Sequence, residues 1–317
     1  MYVGIDVSKR WFDVCTSPVE DAKTTRYPND AEGFKGFIGS VKDLARKHHV
    51  CMEHTGGYEM PLALACKEAG FAVSIIGGGI FSDYRKSFGS AKAKTDLQDA
   101  RLLSRYCKNR KPVLWYPLPD EYRTLRELVR HRDDLLNAKR AWACRSAVGV
   151  ESELVRAHKK ALVEVLRLQA DAATEAIAAH VRAHDKLMSS LALLTSIPGI
   201  AEISAARILA ESGPISGYPG PRDFALAAGL VPTSKGSGTQ TPVGRLHVYG
   251  NRELRCALYF PTVVCYGHKI GVWEFMHRAE SRGGKLKMTV ITAGMRKLAH
   301  VVWGVLKHQQ PYDHGKL

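Results

Sequence analysis

Four carboxylates in the first third of the chain are the residues whose types and spacing point most directly to chemistry. Asp6 and Glu53 each end a short apolar run, while Asp96 and Asp99 lie three residues apart at the start of a predicted helix. That spacing places the last two on one helical face. Carboxylate oxygens are the ligands that Mg²⁺ prefers, and like charges held together need a cation. The pattern predicts a site for hard divalent cations that serves phosphoryl chemistry.

A second reactive group is the hydroxyl of Ser237, which lies between two glycines in the segment 232–241. A serine oxygen attacks phosphorus when a base or a metal ion assists the loss of its proton. The tripeptide alone is more typical of a flexible loop. The local sequence also leaves Ser234 and Thr239 open as alternatives to Ser237.

Polar and basic side chains after this serine are candidates for binding nucleic acid. Arginine guanidinium groups hold phosphates through paired hydrogen bonds, and an asparagine in this segment is the expected N-cap of a helix. The candidates are Arg245, Asn251, Arg255, Lys285 and Lys287. On the plainer interpretation, the two lysines belong to a solvated basic face.

The elements that must position the acids alternate between strands and helices. Apolar or alternating runs predict strands at 2–7, 11–16, 50–53 and 71–76, with a hairpin between the first two. Helical spacing predicts helices at 31–48, 59–69 and 95–108. This order indicates an α/β domain with a largely parallel sheet. Ligands in such sheets bind at the carboxyl ends of strands, where Asp6 and Glu53 both lie.

Beyond Pro119 the pattern becomes helical. Leucines spaced three to four residues apart within 120–190 predict an antiparallel pair of long helices with a turn near Gly149. Such a pair would serve as an arm for dimerisation, for nucleic acid, or for both. The remaining segments are predicted as a short helix at 224–230, a loop at 231–250 and helices at 251–266 and 285–308.

The sequence Ser-Ile-Pro-Gly-Ile at 196–200 lies between two helical runs and predicts a helix-hairpin-helix. The turn of that motif presents backbone N–H groups to a phosphate without reading base sequence. The alternative is an ordinary helical hairpin packed in the core. The basic context favours the phosphate interpretation.

The charge distribution indicates a polyanionic partner. The chain of 317 residues carries a formal net charge of +15. Residues 1–100 are neutral, whereas 101–190 carry +7 and 231–317 carry +9. A neutral front that holds the acids and a basic middle and end are typical of a protein that binds nucleic acid.

Cysteine and histidine usage gives little sign of metal or disulfide chemistry. The seven cysteines are odd in number and form no Cys-x-x-Cys pair, which disfavours a disulfide framework or a zinc knuckle. The thirteen histidines are scattered, so metal binding through histidine is not expected. Neither a membrane span nor a signal peptide is recognised, and the expected location is the cytoplasm with no membrane partner.

A set of short motifs occurs in one order along the chain. The motifs are Gly-Ile-Asp-Val-Ser-Lys (4–9), Glu53 before Thr-Gly-Gly-Tyr, Lys-Thr-Asp-Leu-Gln-Asp-Ala-Arg (94–101), Ser-Ile-Pro-Gly-Ile (196–200), Ala-Gly-Leu-Val-Pro (228–232), Ser-Gly (237–238) and Gly-Asn-x-x-Leu-Arg (250–255). Together they resemble the DEDD-type transposases of a large family of bacterial insertion sequences. The resemblance spans nearly the whole chain, and the loop at 233–249 departs from the family's pattern.

The resemblance implies a fold of three parts. These are an α/β RNase H-like domain of the RuvC type at 1–119, a helical coiled-coil arm at 120–190 and a transposase domain at 191–317. The last part is expected to be mainly α-helical and to contain the helix-hairpin-helix.

The resemblance also implies a mechanism. Asp6, Glu53, Asp96 and Asp99 would bind Mg²⁺, with Mn²⁺ as the alternative ion, and Ser237 would attack a DNA phosphodiester to give a phosphoserine. The acids of a partner subunit would stabilise the charge, and strand exchange would pass through a Holliday-junction-like intermediate.

The partners that the resemblance implies are donor DNA, target DNA and a structured noncoding RNA, the bridge RNA, which guides the enzyme by pairing with both. A homodimer is expected in solution, and a tetramer on two DNA sites. Two other functions stay open on the residues themselves. One is a metal-dependent junction endonuclease that uses water as its nucleophile, and the other is a non-catalytic nucleic-acid-binding protein.

Overall fold

The computed structural model describes residues 1–19, 22–42, 48–87, 96–145, 152–235, 243–246, 250–281 and 287–316. These residues form two compact units, Met1–Pro117 and Leu118–Leu317. The first unit is built around a mixed sheet, and the second is mostly helical. The division of the second unit into an arm and a transposase domain stays a prediction.

A five-stranded sheet forms the centre of the first unit. Its strands are β1 (Tyr2–Val7), β2 (Trp11–Cys15), β3 (Thr24–Pro28), β4 (His49–Glu53) and β5 (Ala72–Ile76). They lie in the order β3-β2-β1-β4-β5. The pairs β3–β2 and β2–β1 are antiparallel, whereas β1–β4 and β4–β5 are parallel. The hairpin prediction is confirmed, and the prediction of a largely parallel sheet is wrong for half of it.

Helices cover both faces of this sheet. They are α1 (Ala31–Lys42), α2 (Met60–Glu68), α3 (Gly78–Lys86) and α4 (Asp96–Arg110). One apolar cluster joins β-strand residues such as Ile5 to Phe37 of α1 and Leu62 of α2. A second joins Cys51 of β4 to Phe81 of α3, and it includes residues of α4. Because neighbouring residues of a strand face opposite ways, α1 and α2 pack on one face and α3 and α4 on the other.

Two elements of the first unit escape sequence reasoning. Strand β3 (Thr-Thr-Arg-Tyr-Pro) lies at the sheet edge with two exposed residues, so it lacks a buried apolar run. Helix α3 begins at Gly78 within the run Gly77-Gly78-Gly79, which predicts a turn on its own. Its buried residues, Phe81 and Tyr84, supply the packing that outweighs the low helix propensity of glycine.

The second unit begins with its two longest helices. They are α5 (Asp120–Arg145) and α6 (Glu153–Arg182). His180 Nε2 contacts the carbonyl oxygen of Glu121 at 2.8 Å, and Lys159 Nζ donates to the carbonyl oxygen of Arg145 at 3.3 Å. The start of each helix therefore lies beside the end of the other, which is the predicted antiparallel pairing. Their description as a coiled-coil arm stays a prediction, and the turn near Gly149 lies outside the described residues.

The remaining elements of the second unit pack into a helical core. They are α7 (Asp185–Thr195), α8 (Glu202–Ser212), α9 (Pro221–Ala227), β6 (Pro232–Lys235), β7 (Val243–Leu246), α10 (Arg252–His268), α11 (Trp273–Ser281) and α12 (Lys287–His308), with short 3₁₀ turns at Ile215–Gly217 and His314–Lys316. The core contains fully buried Leu194, Ile208, Leu258 and Leu298 from four of these helices. No helix within the described ranges is both long and apolar enough to cross a bilayer.

The turn at 196–200 joins α7 to α8 and packs against α10. Gly199 has a φ of +91°, and a Cβ atom there would lie 2.7 Å from the Cys265 sulfur. Glycine is therefore required both by the backbone conformation and by the contact. Ile197 and Ile200 are buried on either side of it. Two helices and a tight turn are present, and the binding of phosphate by this turn stays a prediction.

Candidate active site

The carboxyl ends of β1 and β4 bring Asp6 and Glu53 to one edge of the sheet. The parallel register pairs Gly4 with Cys51, so two residues further along Asp6 lies beside Glu53. Side chains of a strand alternate between its faces, and these four residues therefore share one face. Sequence reasoning placed both acids at strand ends, and the register adds that they face the same way.

Helix α4 packs on that face and brings Asp99 to the same edge. A Cβ atom added to Gly4 would lie 2.1 Å from the Ala100 carbonyl oxygen and 2.2 Å from the Ser104 nitrogen. The Ser104 hydroxyl donates to the Tyr2 carbonyl oxygen at 2.9 Å. Helix and strand thus touch backbone to backbone, which a side chain at Gly4 would prevent. Asp99 precedes Ala100 and is buried in this contact zone.

Arg85 of α3 links two of the acids. Its Nη2 lies 2.8 Å from Asp99 Oδ2 and 4.0 Å from Glu53 Oε2. The guanidinium also lies over the Phe81 ring, 5.0 Å from its centroid. Its Nε is buried and has no hydrogen-bond partner in the described part of the chain. A cation shared by two carboxylates offsets their repulsion, and here the protein supplies it.

The three described acids, Asp6, Glu53 and Asp99, are named the acidic edge below. Within the described residues their oxygens do not form a set in which all lie within 4.8 Å of one another. Arg85 lies between two of the members, and the convergence of all four predicted acids stays a prediction. Asp96 is the first residue of α4, but its side chain lies outside the described part. A donor set made only of carboxylates fits a hard cation such as Mg²⁺.

Asp13 is a neighbouring acid that is not among the four predicted metal ligands. It pairs with Asp6 across the β1–β2 ladder and is 3% exposed. Arg26 holds it through two hydrogen bonds, from Nε at 3.0 Å and from Nη2 at 2.8 Å. A bidentate guanidinium gives this carboxylate a structural partner, which agrees with leaving it out of the metal ligands.

The predicted nucleophile, Ser237, lies outside the described residues. The structure does place both ends of its segment, because β6 and β7 form an antiparallel ribbon in which Lys235 pairs with Val243. The prediction that 231–250 is entirely loop is therefore wrong. The two strands have the sequences Pro-Thr-Ser-Lys and Val-Gly-Arg-Leu. Each has few apolar residues and no alternation of apolar and polar residues, so neither is predicted as a strand.

Two sequence motifs that flank this ribbon are in direct contact. A Cβ atom on Gly250 would lie 2.4 Å from the Gly229 nitrogen, so the two backbones meet. Arg255 Nη1 donates to the Ala228 carbonyl oxygen at 3.0 Å. The Asn251 side chain accepts from the backbone nitrogens at 253 and 254, which confirms it as the N-cap of α10. These contacts join the backbone just before β6 to the start of α10.

Glu211 is a buried acid of the second unit with a full set of partners. Arg130 donates to it from Nε at 2.8 Å and from Nη2 at 2.9 Å, and Asn251 Nδ2 donates at 3.2 Å. Burial acts to raise the pKa of Glu211, but the hydrogen bonds and charge of Arg130 outweigh it and hold the pKa below the ordinary value. Sequence reasoning missed this network, in which Asn251 and Arg130 lie 40 and 81 residues from Glu211 along the chain.

The five candidate nucleic-acid ligands have different surroundings. Arg255 and Asn251 make the contacts within the protein given above. Lys287 is exposed, with its Nζ over the Tyr266 ring at 5.3 Å from the centroid. Lys285 and the side chain of Arg245 lie outside the described part. Binding of nucleic acid by these five residues stays a prediction.

Two family patterns match most of the chain. Residues 3–147 match the DEDD family of the IS110 type, which is a family of transposases. Residues 191–277 match the family described as transposase of the IS116/IS110/IS902 family. The first match contains the acidic edge, and the second contains the ribbon and all of α10.

Similar proteins align with the chain over nearly its full length or over part of it. The chain is 29% identical to the pilin gene-inverting protein of Moraxella bovis over 98% of its own length and 97% of that protein. It is 29% identical to the same-named protein of Moraxella lacunata over equal shares. A probable family 20 transposase of Pseudomonas aeruginosa is 27% identical over 44% of this chain and 40% of that protein.

Proposed function

The chain belongs to the IS110/IS116/IS902 family of DNA transposases and recombinases, and from this membership we propose that it exchanges DNA strands through a serine nucleophile and an acidic metal site. The observation that carries the proposal is the placement of Asp6, Glu53 and Asp99 on one face at the carboxyl ends of β1 and β4. Ligands of α/β sheets bind at such edges. The mixed sheet, which is consistent with an RNase H-like fold, supports the same assignment.

The acidic edge and Asp96 would together hold Mg²⁺, with Mn²⁺ as the alternative. A divalent cation so held polarises a phosphoryl oxygen and lowers the cost of deprotonating a hydroxyl. In this chain the carboxylates would hold the cation at the sheet edge, and α4 would keep Asp99 opposite Glu53. Arg85 supports the site by offsetting the charge of two acids that the fold keeps close.

The serine would carry the covalent chemistry. Ser237 Oγ attacks the phosphorus of a DNA phosphodiester and gives up its proton to solvent. The bond from phosphorus to one sugar oxygen breaks, and that oxygen takes up a proton and leaves as a free hydroxyl. The phosphate remains on the serine until a sugar hydroxyl of another strand attacks it and releases the serine. Exchange of both strands in turn gives a Holliday-junction-like intermediate. The ribbon β6–β7 supports this role because it fixes both ends of the short segment that contains Ser237.

The parts outside the two catalytic segments would bind nucleic acid and partner subunits. The antiparallel α5–α6 pair supports a coiled-coil arm, and the α7–turn–α8 unit supports a helix-hairpin-helix on the DNA backbone. A net charge of +15 suits donor DNA, target DNA and a bridge RNA. We assign a homodimer in solution and a tetramer on two DNA sites, with the acids supplied by a partner subunit. The reaction would take place on DNA in the cytoplasm.

The role named for the relatives suggests the type of product. A pilin gene-inverting protein inverts a DNA segment, and the chain aligns with two such proteins over nearly its full length. Inversion and insertion both require cutting and rejoining at two sites. The same strand-exchange chemistry therefore serves either outcome, and the placement of the two sites in the DNA decides between them.

A denaturing gel tests the nucleophile. Purified protein is incubated with Mg²⁺, end-labelled donor DNA and RNA that copurifies with it, and the reaction is stopped with denaturant. We expect a labelled species of protein size that disappears after protease digestion. The species should be lost in Ser237→Ala and retained in Ser234→Ala and Thr239→Ala, which control for changes in the same segment.

The water-nucleophile alternative gives a different gel. Free cleaved DNA with no protein-linked label, at equal rates in the native protein and Ser237→Ala, would indicate a metal-dependent junction endonuclease. Loss of all cleavage in Asp6→Asn together with an unaffected Ser237→Ala would give the same conclusion. Sequencing the copurified RNA tests the guide separately, and a random population would contradict RNA guidance while leaving the serine result intact.

A further inference from the structure

Three donors of a different kind lie between β4 and α4. They are the imidazole of His49, the thiol of Cys51 and the thiol of Cys107, with ligand atoms that all lie within 4.8 Å of one another. Both cysteines are 0% exposed, and His49 is partly buried. Among the described residues this is the one group of three or more such side chains that meets that distance.

The cluster is separate from the acidic edge but is built on the same elements. His49, Cys51 and Glu53 alternate along β4, so all three face α4. Cys107 follows Asp99 by eight residues on α4, a little over two helical turns. The thiols therefore lie deeper between strand and helix, while the carboxylates lie at the strand ends.

The surroundings hold the imidazole in place. His49 Nε2 lies 2.8 Å from the hydroxyl oxygen of Ser74, which is fully buried. The Ser74 hydroxyl lies 2.9 Å from the Val113 carbonyl oxygen, to which it donates. The Cys107 thiol lies 3.4 Å from the His49 carbonyl oxygen. Hydrogen bonds from groups that do not themselves bind the metal orient the ligands of metal centres in this way.

The donor set selects one class of cation. Thiolates and imidazole bind zinc and other thiophilic ions, whereas Mg²⁺ requires oxygen ligands. Two thiolates, one neutral imidazole and a divalent cation sum to zero net charge, which suits a fully buried place. A water would complete a four-ligand set.

We propose that His49, Cys51 and Cys107 bind one cation of the zinc class, distinct from the magnesium assigned to the acidic edge. The bound ion would fasten α4 to β4 and thereby hold Asp99 opposite Glu53. Its role is structural, since buried thiolates cannot reach a DNA phosphate. The binding itself does not depend on the proposed strand-exchange function.

Metal analysis of the full-length protein tests the site. Protein expressed with zinc, purified without chelator and dialysed is analysed for bound metals, and a chelator-treated sample is titrated with Co²⁺. We expect about one zinc per chain and a thiolate-to-cobalt charge-transfer absorption. In Cys107→Ala the affinity for Co²⁺ should fall by more than about 100-fold, because loss of a residue that only orients a ligand already costs about 10- to 100-fold.

Two variants control this experiment. Cys66→Ala removes another fully buried thiol of the same unit, on α2, and should leave the stoichiometry and absorption unchanged. Asp6→Asn should also retain the zinc, because the acidic edge is a separate site. His49→Gln keeps both thiols and should weaken Co²⁺ binding, which gives a second variant if Cys107→Ala does not fold.

Several outcomes would overturn the proposal. These are protein without stoichiometric metal and without thiolate–cobalt absorption, an ion retained in both Cys107→Ala and His49→Gln, and equal loss of the ion in Cys66→Ala. Formation of a Cys51–Cys107 disulfide in the metal-free protein, with no metal bound after its reduction, would also overturn it.

Discussion

The acidic edge and the thiol cluster lie on the same strand and the same helix, yet they differ in donor type and in depth. Glu53 and Asp99 supply oxygens at the carboxyl end of β4, where Glu53 is partly exposed. Cys51 and Cys107 supply sulfurs that are 0% exposed. One strand–helix contact therefore has oxygen donors at its accessible rim, which is the acidic edge, and sulfur donors in its interior.

The difference suggests that the acidic edge serves catalysis and that the thiol cluster stabilises the fold. A cation that acts on a phosphodiester needs an open coordination position and access to the substrate, and only the rim provides access. A cation among buried thiolates is closed to substrate and contributes to folding instead. The two proposed sites would also bind different classes of ion, so removal of one ion should leave the other in place.

The largest effect should come from the rim. We expect Asp6→Asn to reduce DNA strand cleavage on the order of 10³-fold, the cost of removing one preorganised electrostatic contact to the developing charge. The cleavage rate at saturating Mg²⁺ measures this. Asp83→Asn, which changes an exposed acid paired with Lys86 on α3, should cleave at the native rate. Equal losses in both variants would remove the distinction between the rim and the rest of the unit.

The second effect concerns Arg85, which offsets the charge of the rim. Removing the partner of a buried carboxylate such as Asp99 costs about 3 kcal/mol, so Arg85→Ala should speed amide exchange in α4 about 100-fold without Mg²⁺. Added Mg²⁺ should reverse much of the change by replacing the lost positive charge. Hydrogen–deuterium exchange of α4 peptides measures it, with Lys86→Ala as the exposed control. Failure of Mg²⁺ to slow exchange in Arg85→Ala would contradict the electrostatic role.

The third effect concerns the interior site and should be smaller. A chelator selective for zinc should lower strand cleavage about tenfold in excess Mg²⁺, because a loosened α4 holds Asp99 less well. Cys107→Ala should already cleave about tenfold more slowly, and the chelator should not slow this variant further. A chelator effect of equal size in Cys107→Ala would place the removed zinc elsewhere.

The smallest effect comes from Glu211 in the second unit, a buried carboxylate already satisfied by Arg130 and Asn251. Its pKa lies below the ordinary 4.5, so the folded state binds fewer protons than the unfolded state. This stabilisation is complete well above pH 4.5 and is lost as the pH falls through the lowered folded value. Amide exchange in α8, corrected for intrinsic rates, should rise over that window. In Glu211→Gln the same rise should be absent.

Sequence reasoning succeeds where one element determines the outcome. The placement of Asp6 and Glu53 at strand ends, and of Asp99 on a helix, follows from local hydrophobic patterns. The N-cap role of Asn251 follows from its type and position before α10. In each case the residue and the signal that predicts it lie within a few positions of each other.

It fails where distant segments meet. Arg85 belongs to a helix that opens with glycines, and no local pattern marks it as the partner of Asp99. Cys107 is 56 residues beyond Cys51, so their approach depends on how α4 crosses β4. The ribbon β6–β7 is likewise defined by pairing rather than by an alternating pattern. Such contacts are properties of the assembled sheet and helices.

The contact of Gly4 with α4 also determines how the gene tolerates change. A methyl group at this position would lie 2.1 Å from one backbone atom of the helix and 2.2 Å from another. Every missense mutation of a glycine codon adds at least that carbon. Any missense change at codon 4 should therefore force α4 away from β1 and lower activity, whereas synonymous changes should be neutral.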